Sequence, residues 1–375
     1  MRTYKFAKKL PVIGNRNEHF LWNKEVWGAF IDFPDCHIGK HSIVIKPDKV
    51  RDYLPEIFDR YPNLPICLKV NFDYPNKGFN INTYIIKNIA WLLGIAPRVY
   101  DIAKIEDTDG RIYKTQILEY LIGEFPHKDD SPIIWESHLA YLADYYIGTY
   151  GIDWYSANFI NDKLVDFDEF YFTNKKKYGR ELKERFVKTA YWGSNTASYQ
   201  DLPNLEIRGC RSHDRFKLLG MLDLDLTGKT VLDIGCSGGQ ALYWARERGA
   251  ERIVGLDIPE IAKVAFEMAN FHECFDIETI GCDLTQNNIQ EIIKEKTGLD
   301  KFDIVVMFSV NAHIGFHQYM RDLCKETLFL ECNAAKMENV EREEYPEELK
   351  KLGYTEFEYR GEVKESGTRS LFICH

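Results

Sequence analysis

The sequence predicts an α/β protein: a C-terminal half built on a mostly parallel sheet, preceded by a smaller half of mixed α+β character. Three observations carry this. Thr230 to Ile234 is a short apolar, β-rich run, followed by a glycine turn (Gly235, Gly238, Gly239), a helix over 240 to 248 and a second strand, Arg252 to Ile258. A run of that kind suits a strand buried on both faces of a parallel sheet. Apolar strand-like runs keep alternating with helically spaced ones as far as the C-terminus. Finally, 375 residues are enough for two domains, and residues 1 to 172 differ in texture, being aromatic and carrying proline near 46 to 65 and 71 to 76.

The strand from Thr230 carries an acid, Asp233, just before the turn. Glycines there let the chain bend tightly and bring backbone close to a ligand. The helix that follows points its N-terminus at the same place, and Asp257, closing the second strand, is placed to accept hydrogen bonds from both hydroxyls of a ribose. The same logic serves NAD in dinucleotide folds. Here the turn reads Gly-Cys-Ser-Gly-Gly and not G-x-G-x-x-G. Asp233 suits a cationic amino acid moiety and is unwelcome beside a pyrophosphate.

Residues 259 to 272 have helical spacing, and Ile277 to Leu284 reads as a third strand that delivers Asp283 beside the turn, with Cys282 and Leu284 as apolar walls or backbone contacts. A helix near 287 to 297 leads to a fourth buried strand, Phe302 to Val310. Asn311, Ala312 and His313 follow at its carboxyl end, where ligands bind in open parallel sheets. Leu328 to Glu331 reads as strand five, 343 to 352 as a helix, and Thr355 to Tyr359 with Ser370 to Cys374 as a terminal antiparallel pair.

These residues resemble a class I S-adenosylmethionine-dependent methyltransferase over 199 to 375. The family pattern D-x-G-x-G-x-G falls on Asp233, Gly235, Ser237 and Gly239, with serine in the middle position. The resemblance implies a seven-stranded Rossmann-like sheet of order 3-2-1-4-5-7-6. It also implies Asp257 as the ribose acid, Asp283 as the adenine acid, and Ile258, Cys282, Leu284 and Phe308 as further cofactor contacts. Upstream, a G-x-R-x-x-x-R segment (Gly209, Arg211, Arg215) makes Arg211 a candidate for the cofactor carboxylate. His313 is the candidate base for a hydroxyl acceptor, with Glu331 as the alternative base or substrate-binding acid.

Residues 1 to 172 carry a second resemblance, to the protein-kinase-like fold and especially its small-molecule kinases. The pattern D-x-x-x-x-N falls on Asp153 and Asn158, a metal-binding Asp on Asp166, and the strand lysine on Lys69. In such a site the Asp orients a hydroxyl, the Asn and second Asp hold magnesium, and the lysine grips phosphates. The departures are that no glycine-rich loop precedes Lys69, helix 81 to 94 has no Glu, and Gly151 stands where His is usual. A degenerate kinase-like domain follows from this, with ATP and Mg²⁺ as its implied ligands. Helix 136 to 149 precedes the motif, Gln116 to Tyr120 reads as a strand, and 173 to 198 as a basic helical connector.

Composition narrows the function. The formal net charge of -10 provides no global basic field for nucleic acid or anionic membrane. No apolar run approaches the roughly 20 residues of a membrane helix, and the N-terminus lacks a signal-peptide core, so a cytoplasmic protein is expected. Nine cysteines are scattered without C-x-x-C or zinc spacing and read as buried apolar residues. The amino-methylating Asn/Asp-Pro-Pro-Tyr/Phe motif is absent after strand four, where the chain has Phe308-Ser309-Val310-Asn311, and there is no Pro-Cys pair. The expectation is O-methylation of a sugar, polysaccharide end or small metabolite, an acceptor class suggested only by analogy with proteins that join the two domain types. The alternatives are an RNA (tRNA) methyltransferase and a bifunctional kinase/methyltransferase with an ATP-binding N-terminal module.

Overall fold

The structure, a computed structural model, describes residues 2–10, 31–32, 35–38, 42–71, 81–122, 131–149, 159–160, 162–164, 170–189, 198–211, 213–333, 344–365 and 367–375. The chain divides into two compact units, Met1–Arg180 and Glu181–His375.

The first unit contains β1 (Arg2–Lys5), β2 (Ile31–Asp32), β3 (Cys36–Ile38), β4 (Ser42–Ile45), α1 (Pro47–Tyr53), α2 (Pro55–Arg60), β5 (Ile66–Asn71), α3 (Ile81–Leu92), β6 (Val99–Glu106) and β7 (Ile112–Glu119). These seven strands form one sheet in the order β1-β6-β7-β5-β4-β3-β2. β1 runs parallel to β6, and the remaining pairs are antiparallel. Pro47 and Pro55 open α1 and α2 at positions where their missing N–H leaves no bond unmade. Val50, Tyr53 and Ile57 pack with Ile43, Ile45, Leu68, Val70 and Ile117 in one core.

After α4 (Ser131–Ala143) the chain departs from the helix expected over 136 to 149. Tyr146 adopts a positive φ of 57°, and Ile147–Thr149 becomes β8, paired antiparallel with β11 (Phe170–Phe172). The β-branched Ile147 and Thr149 favour the strand, and a left-handed residue cannot continue a right-handed helix. Two short strands, β9 (Phe159–Ile160) and β10 (Lys163–Leu164), form a separate pair. Helix α5 (Lys175–Thr189) follows β11 in the chain.

The second unit opens with a small parallel pair, β12 (Ser198–Gln200) and β13 (Gly209–Arg211), followed by α6 (Asp214–Leu218). Helix α6 ends at Leu218; Gly220, at φ +69°, precedes a single 3₁₀ turn over Met221–Asp223. Then strands and helices alternate: β14 (Thr230–Ile234), α7 (Gln240–Glu247), β15 (Arg252–Asp257), α8 (Pro259–Phe271), β16 (Ile277–Gly281), α9 (Ile289–Thr297) and β17 (Phe302–Phe308). Short helices α10 (Asn311–Ile314) and α11 (Tyr319–Asp322) lead to β18 (Cys324–Asn333), α12 (Tyr345–Lys351), β19 (Phe357–Glu365) and β20 (Gly367–Cys374).

These seven strands form a mixed sheet in the order β16-β15-β14-β17-β18-β20-β19. The first five are parallel, and β20 runs antiparallel between β18 and β19. Every residue of β15 is buried, as a central strand covered by helices on both faces requires. Leu232, Ile234, Val254, Leu256, Val305, Met307 and Leu330 form the middle of the core. Eight cysteines, Cys36, Cys67, Cys236, Cys274, Cys282, Cys324, Cys332 and Cys374, are buried and unbridged. No helix among the described residues is long and apolar enough to cross a membrane.

Candidate active site

β14 ends at a crevice where the strand order reverses, with β15 on one side and β17 on the other. At such a point two neighbouring crossovers diverge and leave room for a ligand at the carboxyl ends of the strands. The turn is fastened to β15: the amides of Gly235 and Cys236 both donate to the Leu256 carbonyl, at 2.8 and 2.9 Å. Gly235 has φ +74°, and a Cβ there would overlap the Val310 side chain, so glycine is required for two reasons. Gly239, at φ +91°, precedes the first residue of α7 and donates its amide to Cys236 O at 2.8 Å.

Ser237 also adopts a left-handed conformation, φ +49°, which is uncommon for a non-glycine residue. Its amide donates to Asp257 Oδ2 at 2.7 Å, while Asp257 Oδ1 accepts the Ile258 amide at 2.8 Å. The carboxylate is thereby oriented by two backbone donors. Burial raises its pKa and these two hydrogen bonds oppose the rise.

Asp233 is more deeply placed, at 2% exposure. Burial, with the neighbouring Asp257 charge adding to it and the Arg215 guanidinium opposing it, pushes its pKa up to about 8. Near neutral pH this carboxyl therefore holds its proton much of the time, and a cation arriving beside it would favour the charged form.

Around the acids, Ile258 stands 45% exposed beside Pro259, the first residue of α8. The Cys282 amide donates to Asp257 O at 2.9 Å. Cys282 and Leu284 are buried, and the Leu284 carbonyl accepts the Tyr319 hydroxyl at 2.8 Å. Asp283 is exposed. Its Oδ1 accepts the Thr285 amide at 2.9 Å and the Thr285 hydroxyl at 2.8 Å, bonds that hold its pKa below the usual carboxylate value.

At the ends of β17 and β18 the structure corrects two expectations. Glu331, considered as a base, is completely buried, and its carboxylate is bound by Arg211, by Arg215 at 3.3 Å and by the Ser309 hydroxyl. An acid enclosed in this way is taken up by its buried partners and is not open to an acceptor. Arg211, considered as an anchor for the cofactor carboxylate, is 1% exposed; it pairs with Glu331 and donates to Ser309 Oγ at 3.1 Å. The segment that carries both arginines was visible in the sequence, but their partner Glu331 lies more than a hundred residues along the chain.

Gln240 and Ser309 were missed, and Arg215 entered the sequence reading only as part of the G-x-R-x-x-x-R segment, without a role. Arg215 donates to Gln240 Oε1 and stacks over Phe308, 5.1 Å from the ring centroid. Gln240 opens α7; its amide donates to Gln200 Oε1 at 3.0 Å, and its side chain donates to Asp201 O at 3.1 Å and Arg211 O at 3.3 Å. A polar residue directly after a glycine turn was the available signal. Ser309 has φ +61° and places its amide on Glu331 O at 2.8 Å. His313 lies on α10, exposed, with its amide donated to Val310 O at 2.8 Å.

In the first unit, Lys69 sits on β5 opposite Gln116 of β7. Buried Lys87 of α3 donates to Gln116 Oε1 at 3.5 Å. Asp153, Asn158 and Asp166 lie outside the described residues, among which no cluster of His, Cys, Asp and Glu is suited to a metal ion.

Residues 210–338 match the model of the FtsJ-like methyltransferase family, which supports a methyltransferase in the second unit. The bifunctional kinase-methyltransferase WbdD is similar at 20% identity over 52% of this chain and 45% of that one, with a TM-score of 0.39. EvdMO1 is similar at 16% identity over 52% of this chain and 47% of that one, with a TM-score of 0.35. A ribosomal protein L11 methylase from Lactobacillus delbrueckii subsp. bulgaricus is similar at 17% identity over 44% of this chain and 79% of that one, with a TM-score of 0.33. The chain thus spans less than half the length of WbdD and EvdMO1. No curated protein matches.

Proposed function

We propose that the second unit is an S-adenosylmethionine-dependent methyltransferase. The observation that carries this reading is the pair Asp233 and Asp257 at the carboxyl ends of β14 and β15, with the glycine turn wrapped onto the second acid. Asp257 has lone pairs beyond its two backbone bonds and would accept the ribose hydroxyls. Asp233 would face the amino group, and Ile258 supplies an apolar surface for the adenine with Cys282 and Leu284 behind it. Asp283 sits at the rim for the exocyclic amine. Gly235, Ser237 and Gly239 keep the turn low enough for close backbone approach.

The bound cofactor would supply an activated methyl group on a sulfonium, an excellent leaving group. The protein's share of the work is then orientation and proton removal. Phe308 lies at the end of β17, and His313 follows on α10; the imidazole would take the acceptor's hydroxyl proton as the new C–O bond forms. The acceptor we favour is a hydroxyl of a carbohydrate or small metabolite, because the chain lacks the amino-methylating motif after β17 and carries no net positive charge suited to RNA.

The first unit is read as kinase-like, on the lysine-bearing β5 followed by α3 and the β6–β7 pair. α3 carries Lys87 and no glutamate, which favours a degenerate member over an active ATP site. Calorimetry of the full chain with S-adenosylmethionine and S-adenosylhomocysteine tests the central claim. Binding of both in the micromolar range is expected; no heat and no thermal shift with either would remove the assignment.

A further inference from the structure

Arg215 reaches three of the elements around the crevice. It projects from α6, only 2% exposed. One guanidinium nitrogen donates to Glu331 Oε2 at 3.3 Å, at the end of β18, and the other donates to Gln240 Oε1, on the first residue of α7. Its flat face lies over Phe308 at the end of β17. Three elements that converge on the crevice are thus joined by one planar side chain whose fork can hold two acceptors at once, a geometry that lysine cannot reproduce.

We propose that Arg215 is a positioning residue for the methyl donor: it locks the start of α7 to the ends of β17 and β18 and so fixes the turn against which the donor lies. The proposal rests on the cofactor reading above and extends it to a residue outside the expected contact set. Gln240 is its counterpart, because the same amide side chain that accepts from Arg215 also holds Asp201 O and Arg211 O.

The position has an electrostatic side. The groups that face Asp233 are Asp257 from β15, Cys236 in the turn and Arg215 from α6, while β17 opposes it with apolar Val306. Asp257 disfavours the ionised form of Asp233, and Arg215 is the one cation among these groups that favours it. Removing that charge therefore makes Asp233 harder to ionise, and the pH at which it can receive a cationic amino group rises.

The test measures S-adenosylmethionine and S-adenosylhomocysteine binding to the full chain by calorimetry from pH 6 to 9, with thermal melting as the check on folding. The wild type should bind more tightly as pH rises towards 8. Arg215→Met should weaken binding about tenfold at pH 7 and move the rise in affinity upward by about one pH unit. Gln240→Met keeps the cation and loses its anchor; it should weaken binding with the midpoint unchanged. Arg215→Lys should restore the midpoint without restoring the affinity, which also keeps the proposal testable if Arg215→Met does not fold. Wild-type affinity and an unshifted profile in folded Arg215→Met would overturn the positioning role while leaving the cofactor site standing. A wild type that binds neither molecule would overturn both.

Discussion

The backbone N–H of Ser237 and the carboxylate of Asp257 are joined over 2.7 Å. That bond turns a left-handed, non-glycine residue into a support for the acid at the end of the neighbouring strand. A left-handed conformation costs a residue with a Cβ roughly 1–2 kcal/mol, and a hydrogen bond to a charged acceptor returns a comparable amount.

Asp257→Ala should therefore do two kinds of damage. It removes the acceptor proposed for the ribose and releases the Ser237 amide. Calorimetry should show S-adenosylmethionine affinity reduced by about two orders of magnitude, the equivalent of roughly 2.7 kcal/mol. Asp257→Asn retains one acceptor oxygen and should fall between the two. Unchanged binding by the alanine variant would remove Asp257 from the site.

Asp233 predicts a pH dependence. Its pKa in the folded chain, about 8, lies above the ordinary carboxylate value of 3.8, so the folded state holds this proton more tightly than the unfolded state. The stabilisation is complete below about pH 4 and is lost as pH rises through 8. Asp233→Asn cannot ionise. Relative to wild type, the ligand-free variant should gain about 4 kcal/mol between pH 5 and pH 9, read from urea melts at each pH. It should also lose affinity for the cationic donor. An identical pH slope in both proteins would contradict the burial of this charge.

Glu331 should behave as a structural anchor. Glu331→Ala leaves three buried guanidinium groups, those of Arg211, Arg215 and Arg369, without their shared carboxylate and should cost about 3–5 kcal/mol in chemical denaturation. Glu331→Gln keeps the shape, loses the charge and should cost less. If either variant stays as stable as wild type and loses only turnover, Glu331 takes part in chemistry after all.

His313 is exposed on a short helix, so its replacement should spare the fold. With an acceptor in hand, His313→Ala is expected to lower kcat by 10²–10⁴-fold, with S-adenosylhomocysteine affinity within twofold of wild type. Loss of affinity and turnover together would make it a pocket wall and not a base.

Much of the second unit was legible because its signals are local. The run Thr230–Ile234 matches β14 residue for residue, since apolar β-branched sequence between turn residues has few other stable states. The glycines at 235, 238 and 239 announced a tight turn, and Asp257 stood at the end of its strand. The first unit was less transparent. Tyr146 and Ile147 sit where helical spacing runs on, and the helix nevertheless ends because β11, more than twenty residues later, offers β8 a partner. The groups beneath the crevice were decided by tertiary structure alone. Glu331 meets Arg211 and Arg215 across separations of 120 and 116 residues. Periodicity and turn chemistry report on neighbours along the chain, whereas the partner of a buried charge is whichever counter-charge the closing sheet brings within reach. For that reason the sequence placed the acids around the turn, and folding alone turned Arg211 and Glu331 from candidate site groups into the ion pair beneath it.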